Sequence, residues 1–524
     1  MSRSSRVARV FLVPLVLLTI IFSYGLLGQA APKQGGTLTI AVEKDPRSLD
    51  PTIYNDLASS AVQRQIFDTL VAFDENNQVI PHLATSWENP KPAVWIFHLR
   101  KGVKFHDGTE LTAEDVKFSY DRGRDPKSKG QNVSKLSMIE SIDVIDPYTV
   151  RFNLKYPYAP MLEYGVYEIV PKKVVEQLGD DFGFNPIGSG PFKFVEWVKD
   201  DHITLAKNEN YWLKSVNLDK VVFRPIPEKS VAVMELEAGG VDIVQNVPAD
   251  DVPRLQKGKN IAVSDVVGVN YFYVGFNTRK PGPLADPRVR QAIAYGVDMD
   301  AIIDAIFQGV GGSRAYSAIS FPNSWAFNEK LKTQSPTYNP TKAKQLLKEA
   351  GYPNGFSTAI YTAQDPARRK IGELMQAYLM QVGIKLEVKT IEWGAFLALV
   401  DSGDVPIMTL GFNRGTDPDN YLYSLFRSTP EAWAVNGATF NNSQYANPEV
   451  DKLLEQARQI TDQNERKKLY SRAQEIIFLE DVVHLPAYHR NEVSGYRTYV
   501  QDFQADPLGR VILVTQKRNV WLNK

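Results

Sequence analysis

The stretch from Trp95 to Tyr120, WIFHLRKGVKFHDGTELTAEDVKFSY, constrains the fold more tightly than any other part of the chain. Trp95, Phe97 and Leu99 alternate with Ile96, His98 and Arg100, the period of a strand with one apolar face. Lys101-Gly102 and Asp107-Gly108 are turn dipeptides, because glycine accepts the positive φ such turns need. Thr112 stands three residues before Asp115, an N-cap pattern close to a capping box, and Val116 and Tyr120 share one face of the helix that follows. The predicted order is strand, turn, short strand, turn, helix.

The same alternation continues along the chain. Gly35 to Ala41, Val221 to Ile226, the aromatic run Tyr271 to Asn277 and Ile384 to Val388 read as strands. Leu57 to Thr69, Val231 to Ala238 and Ile371 to Val382 read as helices, the last stopped by Gly383. Asp286-Pro287, Asn339-Pro340 and Asn447-Pro448 each put a capping side chain before a proline at the first helical position, where its missing N–H costs nothing. Strands and helices interleave throughout, which predicts an α/β fold. At 524 residues the chain is too long for one ordinary core, so two or three domains are expected. Repeats are absent, and no Gly/Ser/Pro linker divides the chain. Lobes joined by crossing strands fit this better than beads on a string.

The N-terminus is expected to be a targeting segment rather than fold. Arg3, Arg6 and Arg9 precede an apolar run from Val10 to Leu27, and Gly28-Gln29-Ala30 offers small residues at a cleavage site. Residues 1–31 therefore read as a secretory signal peptide, with an uncleaved membrane anchor as the alternative. Removing it would take three arginines and no acid, leaving 57 basic against the 60 acidic residues of the whole chain. That balance gives no reason to expect nucleic acid or anionic lipid as a partner. Cysteine is absent, so no disulfide and no lipidated cysteine is available. A soluble exported protein follows, and a monomer is expected.

Catalytic and cofactor motifs are missing: no phosphate-binding glycine loop, no dinucleotide fingerprint, no H-E-x-x-H. Ser189 lies between glycines in Gly188-Ser189-Gly190, but a nucleophile elbow needs G-x-S-x-G. The six histidines form only two near pairs, His98/His106 and His484/His489, short of the three or four convergent ligands a metal needs. No enzyme, no cofactor and no metal are expected.

The run FHLRKGVKFHDGTELTAEDVKFSY resembles the signature of the peptide/nickel/opine solute-binding proteins of ABC importers, extracellular family 5. Further segments share the resemblance: Asp45 to Pro51, Val79 to Glu88, Pro186 to Phe192, Val231 to Ile243 and DPDNYLYSLF from Asp417. It spans residues 35 to 520. The family implies a two-lobed, type II-like periplasmic binding fold with a hinge, in three domains. Carried over, domain I is 32–75, 186–276 and 493–524, domain II is 76–185, and domain III is 277–492. Tyr271 to Asn277 is implied to be one of two segments that cross between the lobes.

The resemblance also implies ligand-side residues: Tyr54 and Asn55 beside the first loop, then Trp393, Phe412, Asn413, Arg414, Asp417, Trp433 and Tyr488. In peptide-binding members an aspartate sits three residues before the DPDN motif and pairs with the peptide's amino group; here that position is Arg414. An arginine repels an ammonium and can clamp a carboxylate or phosphate, or donate to sugar hydroxyls. It can equally point to solvent, or pair with Asp417 or Asp419. Dipeptide-binding members carry a carboxylate-binding arginine where this chain has Thr362, with Arg368 and Arg369 a turn away. For Tyr54 and Asn55 a surface loop remains open, and for the aromatic residues so does core packing. The implied role is capture of a small ligand for an ABC permease: a peptide first, an oligosaccharide, opine or other acidic conjugate next. From other classes stand a secreted hydrolase, which would need a nucleophile–base pair, and a membrane-anchored structural protein, which would need the N-terminus uncleaved.

Overall fold

The computed structural model describes residues 31–524 except 54–55, 75–76, 129, 131–132, 134, 321–323, 414 and 429–439. One strand, His484–Arg497, organises the molecule. Its first half pairs antiparallel with Tyr271–Phe276, and its second half with Ile261–Val267 and Ile243–Gln245. It thereby joins two sheet halves into one twelve-stranded sheet. On one side lie Thr37–Val42, Lys220–Pro225, His202–Lys207 and Phe192–Val198; on the other lie Ile407–Phe412, Phe356–Ala363 and Ile384–Ile391. The aromatic strand pairs with Ile407–Phe412 along its whole length, so the passage between halves falls just before it, at Gly268 to Asn270.

Asn270 fastens the two crossing segments together. Its side-chain amide donates to the Arg490 carbonyl at 3.2 Å and its side-chain oxygen accepts the Arg490 N–H at 2.6 Å. Its own carbonyl lies 2.5 Å from His489 Nδ1. Burial pushes the His489 ring down to about 4, so the ring is neutral and Nδ1–H is the donor.

The opening signature folds as a separate layer. Val94–Leu99 buries Trp95, Phe97 and Leu99 and leaves the alternate positions half-buried. It is the second strand of a four-stranded antiparallel sheet, between Ala84–Lys91 and Thr149–Leu154, with Ile139–Asp146 beyond. The expected short strand after Gly102 is only an isolated bridge, Lys104 to Glu110. The helix runs Ala113–Arg124, and the Asp115 carboxylate accepts the Thr112 N–H at 2.9 Å. Tyr120 meets Phe152 edge-on at 4.9 Å in this core.

The signature also docks this layer on the main sheet. The His106 N–H donates to the Gly188 carbonyl at 2.8 Å, and its Nε2 reaches the Gly190 carbonyl at 3.0 Å. A Cβ on Gly188 would stand 2.0 Å from the Ile66 carbonyl oxygen, so only glycine lets the backbones approach. Ser189 between them donates to the buried Asp68 at 2.9 Å. That carboxylate also accepts from His82 at 3.0 Å, Tyr211 at 3.0 Å and Trp212 at 2.8 Å. The serine is thus a fastening for a buried carboxylate, and its hydroxyl is held by an acid rather than by a histidine.

Candidate functional site

The site is built at the carboxyl ends of three parallel strands. Phe356–Ala363 lies between Ile384–Ile391 and Ile407–Phe412 and is parallel to both. The next two strands of the chain thus flank it on opposite sides, the kind of topology in which open α/β sheets hold ligands beyond their carboxyl ends. Three segments follow those strand ends. The helix Pro366–Met380 carries Arg368 in its first turn. The helix Trp393–Asp401 begins at Trp393, with Glu392 as N-cap. Asn413 to Asp417 leads into the helix Pro418–Phe426.

Arg368 reaches over two rings. Its guanidinium carbon lies 5.2 Å from the centre of Phe272 and 5.3 Å from that of Trp393. Phe272 is stacked on Tyr488 at 4.5 Å with parallel planes, and Arg490 stands 5.1 Å from the same Phe272 centre. Gly411 makes the approach possible, since a Cβ there would be 2.4 Å from the Phe272 ring. Neither arginine has a carboxylate within ion-pair distance among the described residues, whereas Arg427, Arg458 and Arg466 nearby in the sequence all do. Arg368 Nε is buried without a hydrogen-bond partner.

The expected site residues part company here. Trp393 is 45% exposed at the rim. Asn413 is exposed at the end of its strand. Phe412 is buried in a hydrophobic cluster against Tyr421 and Phe440, at 5.7 and 5.2 Å. Tyr488 is 1% exposed beneath Phe272, and burial pushes its hydroxyl up to about 12. Thr362, at the carboxylate-binding position of dipeptide-binding members, is buried and donates to the Ala363 carbonyl. Tyr54, Asn55, Arg414 and Trp433 lie outside the described residues.

Asp417 departs from the ligand-facing role. It caps the helix Pro418–Phe426 by accepting the Asp419 N–H at 2.9 Å, and both its oxygens are taken by Arg466, at 2.7 and 2.9 Å. Asp419 is held by Arg458 at 3.2 Å. So the two aspartates have arginine partners from a later helix pair and its connection.

Beside them enters Glu163, from the four-stranded layer. It accepts the Thr416 and Asp417 N–H groups, the Thr416 hydroxyl at 2.9 Å and the Asn420 amide at 2.6 Å. The contact joins the small layer to the far half of the main sheet. Burial and the neighbouring Asp417 push Glu163 up to about 7. Gly415, at φ +72°, leaves room for it, since a Cβ there would stand 2.3 Å from Glu163 Oε1.

Phe272, Arg490 and Glu163 were not singled out from the sequence. Alternation along YFYVGFN separates Phe272 from Tyr271 and Tyr273, but nothing local marks which face meets the crevice. Arg490 and Glu163 gave no signal, because their partners lie hundreds of residues away.

Two lobes joined by crossing strands, with an aromatic and cationic crevice beside the crossing, define an extracytoplasmic solute-binding protein. Residues 78–433 match the family described as bacterial extracellular solute-binding proteins, family 5 Middle. The dipeptide-binding protein of Escherichia coli (strain K12) is 31% identical over 515 residues, covering 92% of this chain and 94% of its own. Among solved structures, HbpA2 from Haemophilus parasuis superposes with a TM-score of 0.84 at 31% identity, covering 93% of this chain and all of that one. The ABC transporter-associated periplasmic binding protein DppA from Helicobacter pylori, solved with the peptide STSA, is 33% identical with a TM-score of 0.70, covering 94% and 99%. The chain belongs to family 5 of the bacterial extracellular solute-binding proteins, which serve ABC importers.

Proposed function

We propose that this chain captures a small peptide or peptide-like acid in the crevice between its lobes and delivers it to an ABC permease. The observation that carries the reading is the aromatic and cationic site at the carboxyl ends of the parallel strands, next to the crossing segments. Aromatic faces take apolar side chains, and guanidinium groups take carboxylates. A relative solved with a bound peptide, matched over 94% of this chain and 99% of its own, adds support. Swinging of the lobes about the crossing segments closes the crevice, and the ligand favours closure by its differential affinity for the two arrangements.

No reaction is assigned to the chain, since Ser189 serves to fasten a buried carboxylate that His82, Tyr211 and Trp212 also hold. The partition into domain I (32–75, 186–276, 493–524), domain II (76–185) and domain III (277–492) goes with this reading. So do a soluble periplasmic location and a monomeric state; among the described residues no helix is long and apolar enough to cross a membrane.

Native mass spectrometry of residues 32–524, purified without denaturation, tests the proposal. Release of a ladder of peptide masses or of a single peptide-like acid is the expected outcome. A hexose ladder would overturn the ligand class while leaving the binding role.

A further inference from the structure

Arginines on this protein's surface and in its core are generally paired. Arg466, Arg458, Arg427, Arg122, Arg510 and Arg314 each meet a carboxylate within 3.2 Å or less. Arg368 and Arg490 are exceptions that sit together, each about one ring's reach from Phe272. The nearby acids do not neutralise them. Asp365 is engaged as the N-cap of the helix Pro366–Met380, accepting the Arg368 N–H at 2.9 Å. Glu492, two residues beyond Arg490, is pushed up to about 7 mainly by burial, with Arg490 pulling the other way, and it forms no ion pair with that arginine.

We infer that Arg368 and Arg490 form an anion subsite on the rim of Phe272 and Trp393, and that the ligand is an acid carrying two carboxylates. The inference rests on the binding role proposed above and names the chemistry of its ligand. The geometry supplies three reasons. Arg368 Nε is buried without a partner, and a desolvated N–H donor gains most from a charged acceptor. The guanidinium lies within 5.3 Å of both the Trp393 and Phe272 ring centres, and these contacts favour its present position before an anion arrives. Two cations with no ion-paired acid among the described residues keep their direct contacts open, and a dianion fills both better than a single charge does. Arg368 is the stronger partner because it is held and half-buried. Arg490 is exposed, so solvent screens it and its effect is smaller. An arginine also stands at a position other than Thr362, where dipeptide-binding relatives would place theirs.

The test uses the mature chain and three probes: glutathione, a tripeptide with two carboxylates; its monoethyl ester; and its diethyl ester. Binding is read by calorimetry and by intrinsic tryptophan fluorescence. The wild type is expected to bind the diacid about tenfold or more tightly than the monoester, and the monoester more tightly than the diester. Arg368→Ala is expected to remove most of that discrimination, bringing the diacid and its esters to similar affinities. Arg368→Lys should restore part of it, since charge returns without the fork. Arg490→Ala should reduce it about threefold. Each variant's unfolding midpoint should stay within about 2 °C of wild type, which separates the subsite from a folding role. Equal affinity for acid and esters, or discrimination that survives Arg368→Ala, overturns the subsite and leaves the binding role standing. If the wild type ignores all three probes and releases no peptide-like mass, the binding role falls and the subsite with it.

Discussion

Two arginine pairs in this molecule stand on aromatic rings, and they differ in what balances their charge. Arg466 and Arg458 lie near Trp325, Tyr470, Tyr423 and Tyr158, and each closes on an aspartate. Arg368 and Arg490 lie near Phe272 and Trp393, and close on none among the described residues. The ring environments are alike, so an aromatic seat alone does not say what an arginine is for. The counter-charge does. In the first pair the protein has supplied it, and the arginines hold the fold; in the second it is left for a ligand.

The sharpest way to break this contrast is to remove one member of each pair. Arg466→Ala strands Asp417 beside the buried Asp419 and Glu163. A loss of about 3–5 kcal/mol of folding stability is expected in denaturant titration, as for breaking a buried ion pair. A loss under about 1 kcal/mol would mean that the first pair is no more structural than the second. Glu163→Ala leaves four donors unpaired, with an expected cost of about 1–3 kcal/mol.

Acidity sharpens the same comparison. Glu163 and Asp419 are both pushed up to about 7, chiefly by burial. The native state therefore holds their protons more tightly than the unfolded chain does. Their contribution is complete in acid and is lost as pH rises towards 7. His106 and His489, pushed down to about 4, act oppositely, and their contribution is lost as pH falls below the usual histidine value of 6.5. Between about pH 6.5 and 7.5 the acids dominate, so folding stability is expected to fall as pH rises, and Glu163→Gln to flatten that fall. A rise in stability over that interval would contradict it.

The smallest effect belongs to the second pair. Arg368→Met should change stability by less than about 1 kcal/mol, measured the same way, because the side chain has no internal acid to abandon.

How far the sequence reaches follows the same division between near and far. The alternation of Trp95, Phe97 and Leu99, the Thr112–Asp115 cap, and the capped prolines at Asp286, Asn339 and Asn447 are local, and each forms as read. The resemblance marks Asp417 only as a ligand-side residue; its place before Pro418 makes a helix cap legible, and it caps that helix. Its engagement with Arg466 was not legible, because an ion pair across 49 positions leaves no mark on either neighbourhood. Phe272 and Tyr488 meet only because one long strand returns beside the aromatic one. Of the aromatic residues named from the resemblance, Trp393 stands exposed whereas Phe412 and Tyr488 are packed inward, since a motif fixes a segment and not which face of it is buried.

Asn270 has a mechanical consequence. It ties its own segment to the Arg490 backbone at the place where the chain passes between lobes, so that point is the fulcrum of the swing. Arg490 is mounted on the fulcrum, and a body rotating about an axis moves least there. A ligand charge seated at Arg490 would keep its seat throughout the stroke, while residues farther out sweep in along the longer arms. Such a lever lets the first contact be made in the open crevice and carried unbroken into the closed one.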